Sequence, residues 1–583
     1  MGAAVAPPRR RLRHRIPVRL RHYWKLLAGC VAFLAVVAVV FSTVRVQPYV
    51  TSSSDGEGDV VTQNIAGTRD LFDATVAHEI TVTFRDADYQ RMLDTFHQEG
   101  EKDYVEADVT IDGTTISSVG VRLKGNSTLR GLTRDGESIG RSGDRPGGAA
   151  DGGPPGDGAA EGRARGGRAP EGGAAEGGRA PEGGAAEGGR APEGGAPQGD
   201  TTEDNGGWGN RAGGGFTMTS LKAEEPETLP WLIRFDEFVE GLRYQGHREI
   251  AVRVGGMGGG STVLNEAVTL DLLADLGEIA PRYAYSSFVV NDRPATARLV
   301  IQNPDGAFAE DIDGSGVLYK SLATGQFTDQ GDDPIDYQDD FKQVTKLGSQ
   351  DLQPVIDLIR WVDNSSDEEF DAGLADRIDV ESFARYVALQ NLLLNFDDMS
   401  GPGRNYYLWY DLSARKFTVV GWDYNLTFSG NADQGPHEQG SMRNMFRGGA
   451  APDGGQVPGG MPDGGQVPGG MPELPEGMQP PGGGADAEDG RAPGGGFGGG
   501  HKLKERFLAS DAFTEVYESA YRELYQQIYA DGAASTALDE LTRVLTGVDS
   551  SDAASVDTDS TRLRTLIQQR TSSLATDEVI TKG

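Results

Sequence analysis

Apolar and polar residues alternate at Ile80, Val82 and Phe84, the period of a half-buried strand. Asp86 is expected to cap a helix carrying Tyr89, Met92, Leu93 and Phe96. Val105, Val109 and Ile111 predict another strand, Asp112-Gly113 a hairpin turn, and Val119, Val121 and Leu123 the return strand, which runs out at Lys124-Gly125-Asn126-Ser127. The pattern resumes at Trp231-Leu232-Ile233-Arg234-Phe235-Asp236. A strand around Ile250–Val254, a Gly-rich turn from Gly255 to Gly260 and a helix from about Thr262 to Leu276, stopped by Gly277, come next. Strands near Tyr285–Val290 and Ala297–Gln302 flank the turn at Asn291-Asp292. Residues 327–350 are acidic and read as loop. Helices are predicted near 351–361 and 380–394, and again over 502–576.

Two tracts break this pattern. The first, about 135–215, is built on the eleven-residue repeat GGRAPEGGAAE with starts at Gly166, Gly177 and Gly188; the second, about 430–500, carries PDGGQVPGGM at Pro452 and Pro462. Neither has an apolar face, so both read as disordered surface insertions and not as solenoids. Much of the total of 84 glycines sits in them, so the 583 residues hold one large domain and a helical C-terminal part. Long surface insertions are tolerated because closure entropy grows only with the logarithm of length.

The N-terminus changes the expected location. Residues 1–25 hold eight Lys and Arg and no acid, and Leu26 to Val44 is uncharged and largely apolar. As a helix those residues span about 28 Å, near the bilayer core of about 30 Å. The run is longer than a signal-peptide core and Arg45 follows with no clear cleavage site, so an uncleaved anchor is expected. The basic flank stays cytoplasmic, which leaves the bulk of the chain extracytoplasmic on a single-pass protein of the cell membrane. The division expected is a tail at 1–25, a transmembrane helix at 26–44, a stalk at 45–75, a domain at 76–430, the second insertion at 431–500 and the helical part at 501–583.

The formal net charge is −34, and the part beyond the basic tail carries −42. Such an excess argues against nucleic acid as a partner, whose binding draws on cations at phosphates. The single cysteine, Cys30, lies in the apolar run, so no disulfide and no Cys-based zinc site is available to the domain.

The chemistry concentrates in three pieces: Asn395-Phe396-Asp397-Asp398, Arg404-Asn405-Tyr406-Tyr407-Leu408-Trp409-Tyr410, and Gly421-Trp422-Asp423-Tyr424-Asn425. Asp397 falls in a loop after an apolar helix, Asn405 opens a strand and Asp423 ends the return strand. Protein kinases use the same order: a catalytic-loop Asp, a metal-binding Asn, then a metal-binding Asp after a short hairpin.

With Tyr104–Gly113, Val121–Ser127, Ile233–Phe238 and Leu318-Tyr319-Lys320 added, the chain from about 78 to 430, and more loosely to about 530, resembles the CotH kinase family, atypical kinases named for a spore-coat protein. The resemblance implies an α+β, divergent protein-kinase-like fold and transfer of phosphate from ATP to Ser or Thr of a protein. It implies Asp397 as catalytic base and Asn405 and Asp423 as ligands of Mg²⁺ or Mn²⁺. Lys124, Arg234 and Lys320 are the candidates for the cation on the phosphates, and Glu266 for the helix acid that positions one of them. The chain departs from the family at Leu232 and Arg234, where two lysines are usual, and at Gln302-Asn303, where an acidic pair is frequent. Two other readings stand beside this one: a degenerate kinase fold serving as a binding, adhesion or scaffold module, and transfer of a nucleotidyl or other group from ATP at the same site.

Overall fold

The alternation at Ile80, Val82 and Phe84 forms, in the computed structural model, one wall of a closed barrel. The structure describes residues 61–125, 128–140, 220–255, 260–312, 314–438, 440 and 500–582. The basic tail, the apolar span at 26–44, Asn126-Ser127 and both Gly-rich tracts, over 141–219 and 441–499, lie outside these residues. Among the described residues no helix is long and apolar enough to cross a membrane.

Seven strands close the barrel: β1 (His78–Phe84), β2 (Val105–Ile111), β3 (Thr114–Leu123), β4 (Trp231–Arg234), β5 (Glu249–Val252), β6 (Tyr283–Val290) and β7 (Thr296–Gln302). Their spatial order is β5-β7-β6-β1-β2-β3-β4, with β4 pairing back onto β5. All pairs are antiparallel except β6 with β1, which run parallel with Phe288 opposite Ile80. The Asp112-Gly113 turn has positive φ at both residues, 47° and 80°, the geometry a two-residue hairpin needs.

Val82, Val109, Val121, Ile233, Ile250, Phe288 and Val300 share one buried core, joined by Tyr89, Met92, Leu93 and Phe96 of helix α1 (Asp86–Glu99). Each large apolar side chain so buried contributes about 1.5–3 kcal/mol over its exposed state. The alternate residues face the other way. Arg122, Leu232, Ala251 and Ile301 form one cross-strand row, and Ala251 and Ile301 enter a second core with helix α2 (Leu264–Asp275).

A four-stranded antiparallel sheet follows, made of β8 (Gly316–Ser321), β9 (Phe341–Gln343), β10 (Tyr406–Asp411) and β11 (Lys416–Gly421) in the order β9-β8-β10-β11. Around it stand helices α3 (Gln353–Asn364), α4 (Val380–Leu392), α5 (Lys502–Ala509), α6 (Asp511–Tyr525), α7 (Ala533–Thr546) and α8 (Ala553–Leu574). α6 packs on α4, and α7 on α2. The architecture is α+β, as the family resemblance implies.

Several boundaries differ from those the sequence predicts. Residues 61–75, expected at the end of a stalk, lie on the domain: Gln63–Ile65 pairs in parallel with Leu242–Tyr244, and Leu71 and Phe72 are buried. The segment 327–350 is not all loop, because Phe341 is buried and β9 completes an edge of the sheet. Residues 135–140, expected to begin the first insertion, complete a small hairpin of Leu132–Arg134 with Glu137–Ser138. A helix over Asp367–Gly373, not expected, is started by a capping box between Ser366 and Glu369.

Candidate active site

Helix α4 delivers the first site residue. Its last turn gives way to Leu394 in the left-handed region, and Asn395 turns the chain by bonding Gln390 Oε1 through Nδ2 (2.8 Å) and accepting from the Asp397 N–H (3.2 Å). Asp397 is then wrapped by the loop Gly401-Pro402-Gly403. Its Oδ1 accepts from the Gly403 N–H at 2.6 Å, and its Oδ2 accepts from Asn405 Nδ2 at 3.0 Å. A Cβ on Gly403 would lie 2.6 Å from Asp397 Oδ2 and 2.6 Å from Asn405 Nδ2, so glycine is required for this close approach. Asp397 is nearly buried, and burial pushes its carboxyl up to about 6. The Gly403 N–H pulls it back, while Asp423 and then Asp398 add to the rise. The neighbouring Asp398 serves the fold instead, pairing with Lys504 of α5 and capping the turn by accepting from Ser400 N at 2.8 Å.

Asn405 stands just before β10. Its Nδ2 is spent on the backbone oxygen and the carboxylate of Asp397, which leaves Oδ1 as the atom able to face a cation. Its backbone oxygen accepts from the Trp422 N–H at 3.2 Å, tying the base of the hairpin together. Asp423 sits two residues beyond β11 in the left-handed conformation (φ 58°, ψ 66°), which an L-residue adopts at a cost. Asp397, Asn405 and Asp423 thus belong to one loop-and-hairpin unit, as their order in the sequence predicts.

The cation that meets Asp423 is Arg253, just past the end of β5. Arg253 Nη2 donates to Glu266 Oε1 at 2.5 Å and lies 2.8 Å from Asp423 Oδ1, an ion pair without hydrogen-bond geometry. Its guanidinium also lies 5.3 Å from the centre of the Trp422 ring. Burial works against its charge, and Asp423 and Glu266 outweigh burial and hold it charged. Glu266 is fully buried in the first turn of α2, and burial raises its carboxyl above the ordinary range despite Arg253. Glu266 Oε2 and Asp423 Oδ1 are buried carboxylate oxygens with no hydrogen-bond donor among the described residues. Helix α2 is locked to the segment after Asp423: Asn265 Nδ2 donates to Asn425 O (2.7 Å) and Thr427 O (3.1 Å), and Thr269 meets Thr427 at 2.8 Å.

The expected partners of Glu266 lie elsewhere, and that expectation is corrected. Arg234 is held by Asp236 (2.7 Å), Glu237 (3.3 Å) and Glu249 (3.8 Å). Lys124 donates to Asn303 Oδ1 at 3.1 Å and lies 5.7 Å from the Trp422 ring, on the fringe of the site. Lys320 lies 6.0 Å from the ring of Tyr407, which itself packs edge-on against Trp422. The physical reason is connectivity. β5 and α2 are consecutive elements, the Gly-rich stretch between them lying outside the described residues at 256–259, and Glu266 in the first turn of α2 meets the cation just past the end of β5. A lone arginine in Val252-Arg253-Val254-Gly255 carries no motif; its place just before the turn that opens the Glu266 helix was the available signal.

The donor set suits a hard divalent cation. Among the described residues no three His, Cys, Asp or Glu side chains gather into a metal cage. Mg²⁺ is commonly bound by one or two protein oxygens together with substrate phosphates and water. Asn405 Oδ1 and the Asp423 carboxylate, including its donor-free Oδ1, fit that pattern.

The family model described as CotH kinase protein matches residues 223–574, more than half of the chain. No curated protein matches it. The matched span begins after the first Gly-rich tract and takes in β4 to β11 and helices α2 to α8. β1, β2 and β3, which complete the barrel, lie outside it.

Proposed function

Because this chain belongs to the CotH kinase family, we propose that it transfers the γ-phosphoryl group of ATP to a Ser or Thr hydroxyl of an extracytoplasmic protein, with Mg²⁺ or Mn²⁺ as cofactor. The observation that carries the proposal is the chain of contacts in which Asn405 bonds Asp397, the Asp423 charge adds to the rise of the Asp397 carboxyl, and Arg253 pairs with both Asp423 and Glu266.

In this reading Asp397 orients the acceptor hydroxyl and takes its proton. A carboxyl pushed up to about 6 is ionised at neutral pH, yet more basic than a free one. Gly403 and Asn405 each bond one of its oxygens and hold it in one orientation. Arg253 supplies fixed positive charge beside the phosphates, and Glu266 fixes Arg253, the division of labour of the Lys–Glu pair in protein kinases. Asn405 and Asp423 would hold the cation, which when bound neutralises charge on the phosphates. Asn265, Thr269 and Thr427 keep the Glu266 helix and the Asp423 segment in register. The span at 26–44 would anchor the chain with its bulk outside the cell.

A binding or scaffold role is favoured by one observation: Arg253 already rests on Asp423 Oδ1, where a cation would bind. Calorimetric titration of Mn²⁺·ATP into the full chain, beside Asp423→Asn, separates the two. Binding by the wild type alone supports the kinase reading. Absence of binding in both rejects it in favour of the binding module.

A further inference from the structure

We infer that Asp559, on the C-terminal helix α8, is a positioning residue for this site, acting from 297 positions away through Thr262, two residues before the helix that carries Glu266. The inference rests on the phosphoryl-transfer reading of the Arg253–Glu266–Asp423 cluster. Helix α2 has no cap of its own: Val263 at its N-cap position is left-handed (φ 56°) and makes no side-chain cap bond. Asp559 holds the residue before it. Its buried Oδ2 accepts from the Thr262 N–H at 2.9 Å and from Thr262 Oγ1 at 2.7 Å, with Ser261 Oγ at 3.4 Å. Gly260 makes room for the carboxylate. It has φ 103°, and a Cβ there would lie 2.1 Å from Asp559 Oδ1. From the other side Tyr285 donates its hydroxyl to Thr262 O at 3.2 Å. Glu266 lies in the very next turn, so a displacement of Thr262 passes directly to the Glu266–Arg253 pair.

The same helix reaches the other two arms of the site. Arg562 donates to Phe428 O at 3.4 Å, in the segment that follows Asp423. Arg570 is fully buried and donates to Leu392 O (3.4 Å) and Asn391 O (3.1 Å) at the end of the helix leading to Asp397, and to Ala432 O (3.1 Å). Three side chains of α8 therefore grip the backbone of the three segments that carry Glu266, Asp423 and Asp397. Of these Asp559 is the most direct, because its contact is one turn from a site residue.

The test compares the wild-type full chain with Asp559→Ala and Asp559→Asn by amide hydrogen exchange and by Mn²⁺·ATP titration. Asn retains an acceptor for the Thr262 N–H, whereas Ala does not. Asp559→Ala is expected to raise exchange across 260–267 and across 423–428, and to weaken Mn²⁺·ATP about tenfold, a change on the scale of a single charge-assisted hydrogen bond because the lost contacts act on the site only through Thr262. Asp559→Asn should recover most of both. Raised exchange with wild-type affinity, or equal losses in the two variants, would overturn the positioning role while leaving the kinase reading intact. If the wild type binds no Mn²⁺·ATP, the nucleotide reading fails alone and exchange decides the rest. A change reaching 423–428 in Asp559→Ala still supports positioning, and one confined to 260–262 overturns it.

Discussion

Asp397→Asn separates the requirements of the site from those of the fold. In the unfolded chain this carboxyl titrates near 3.8; in the folded protein burial moves it up to about 6. The folded state therefore binds a proton more tightly, and stability falls as pH rises from about 4 to 6, then stays level. At about 1.4 kcal/mol per pH unit the gap amounts to roughly 3 kcal/mol of stability lost at neutral pH. Asparagine carries no charge to desolvate. Its Oδ1 still accepts from the Gly403 N–H, while the bond from Asn405 Nδ2 to the side chain is lost or, after a flip of the Asn405 amide, is exchanged for the bond to Asp397 O. The variant should be inactive in transfer and more stable than wild type at pH 7.5, by up to about 3 kcal/mol, with the difference gone near pH 4. Urea unfolding of the full chain in detergent, followed by tryptophan fluorescence at steps from pH 4 to 8, measures this. A variant less stable than wild type at pH 7.5, or a difference that does not change with pH, would refute the burial cost assigned to the Asp397 carboxylate.

Transfer activity of the wild type should rise as pH passes through about 6, because the base must be ionised, and a pH–rate profile without that limb would remove Asp397 from the role. Asp423→Asn should abolish metal-dependent ATP binding in calorimetry and leave the circular dichroism spectrum unchanged; unaltered affinity would end its assignment as a ligand. Arg253→Ala leaves Glu266 and Asp423 without their shared cation and should cost about 3–5 kcal/mol in urea unfolding at neutral pH, with Arg253→Lys recovering part of it. Gly403→Ala forces a Cβ against Asp397 and Asn405 and should lower kcat by about 10²-fold in a transfer assay.

How much of this is legible in the chain depends on how local the determinant is. The strand alternation at 80–84, the Asp112-Gly113 hairpin and the helix before Asp397 are set within a few residues, and each appears near its predicted place. The capping box at Ser366 and Glu369 was equally local and readable, and it marks the unexpected helix. Strand β9 was not: three residues in an acidic stretch become a strand because β8 offers an open edge. Closure of the barrel was hidden for a similar reason. Alternation says which face of β1 is buried, and nothing in it says that the partner begins about 200 residues later at Tyr283. The order Asp397, Asn405, Asp423 was legible because one loop and one hairpin carry all three. The pairing of Glu266 was not, because several cations were available to it and the fold of the β5–α2 unit decided among them.

The short strands around the first Gly-rich tract have a consequence for how this protein can change. The chain leaves the described structure after Gly140 and re-enters at Ser220, and both ends attach to one small sheet: Leu132 lies beside Leu221, and the Gly140 and Ala223 N–H groups bond Leu132 O and Thr133 O. With its two ends docked together, doubling the tract adds only about 0.6 kcal/mol of closure entropy. Eleven-residue units can therefore be added or removed between Gly140 and Ser220 at small cost, because the sheet that holds both ends is set by Leu132, Thr133, Leu221 and Ala223 and not by the tract's length.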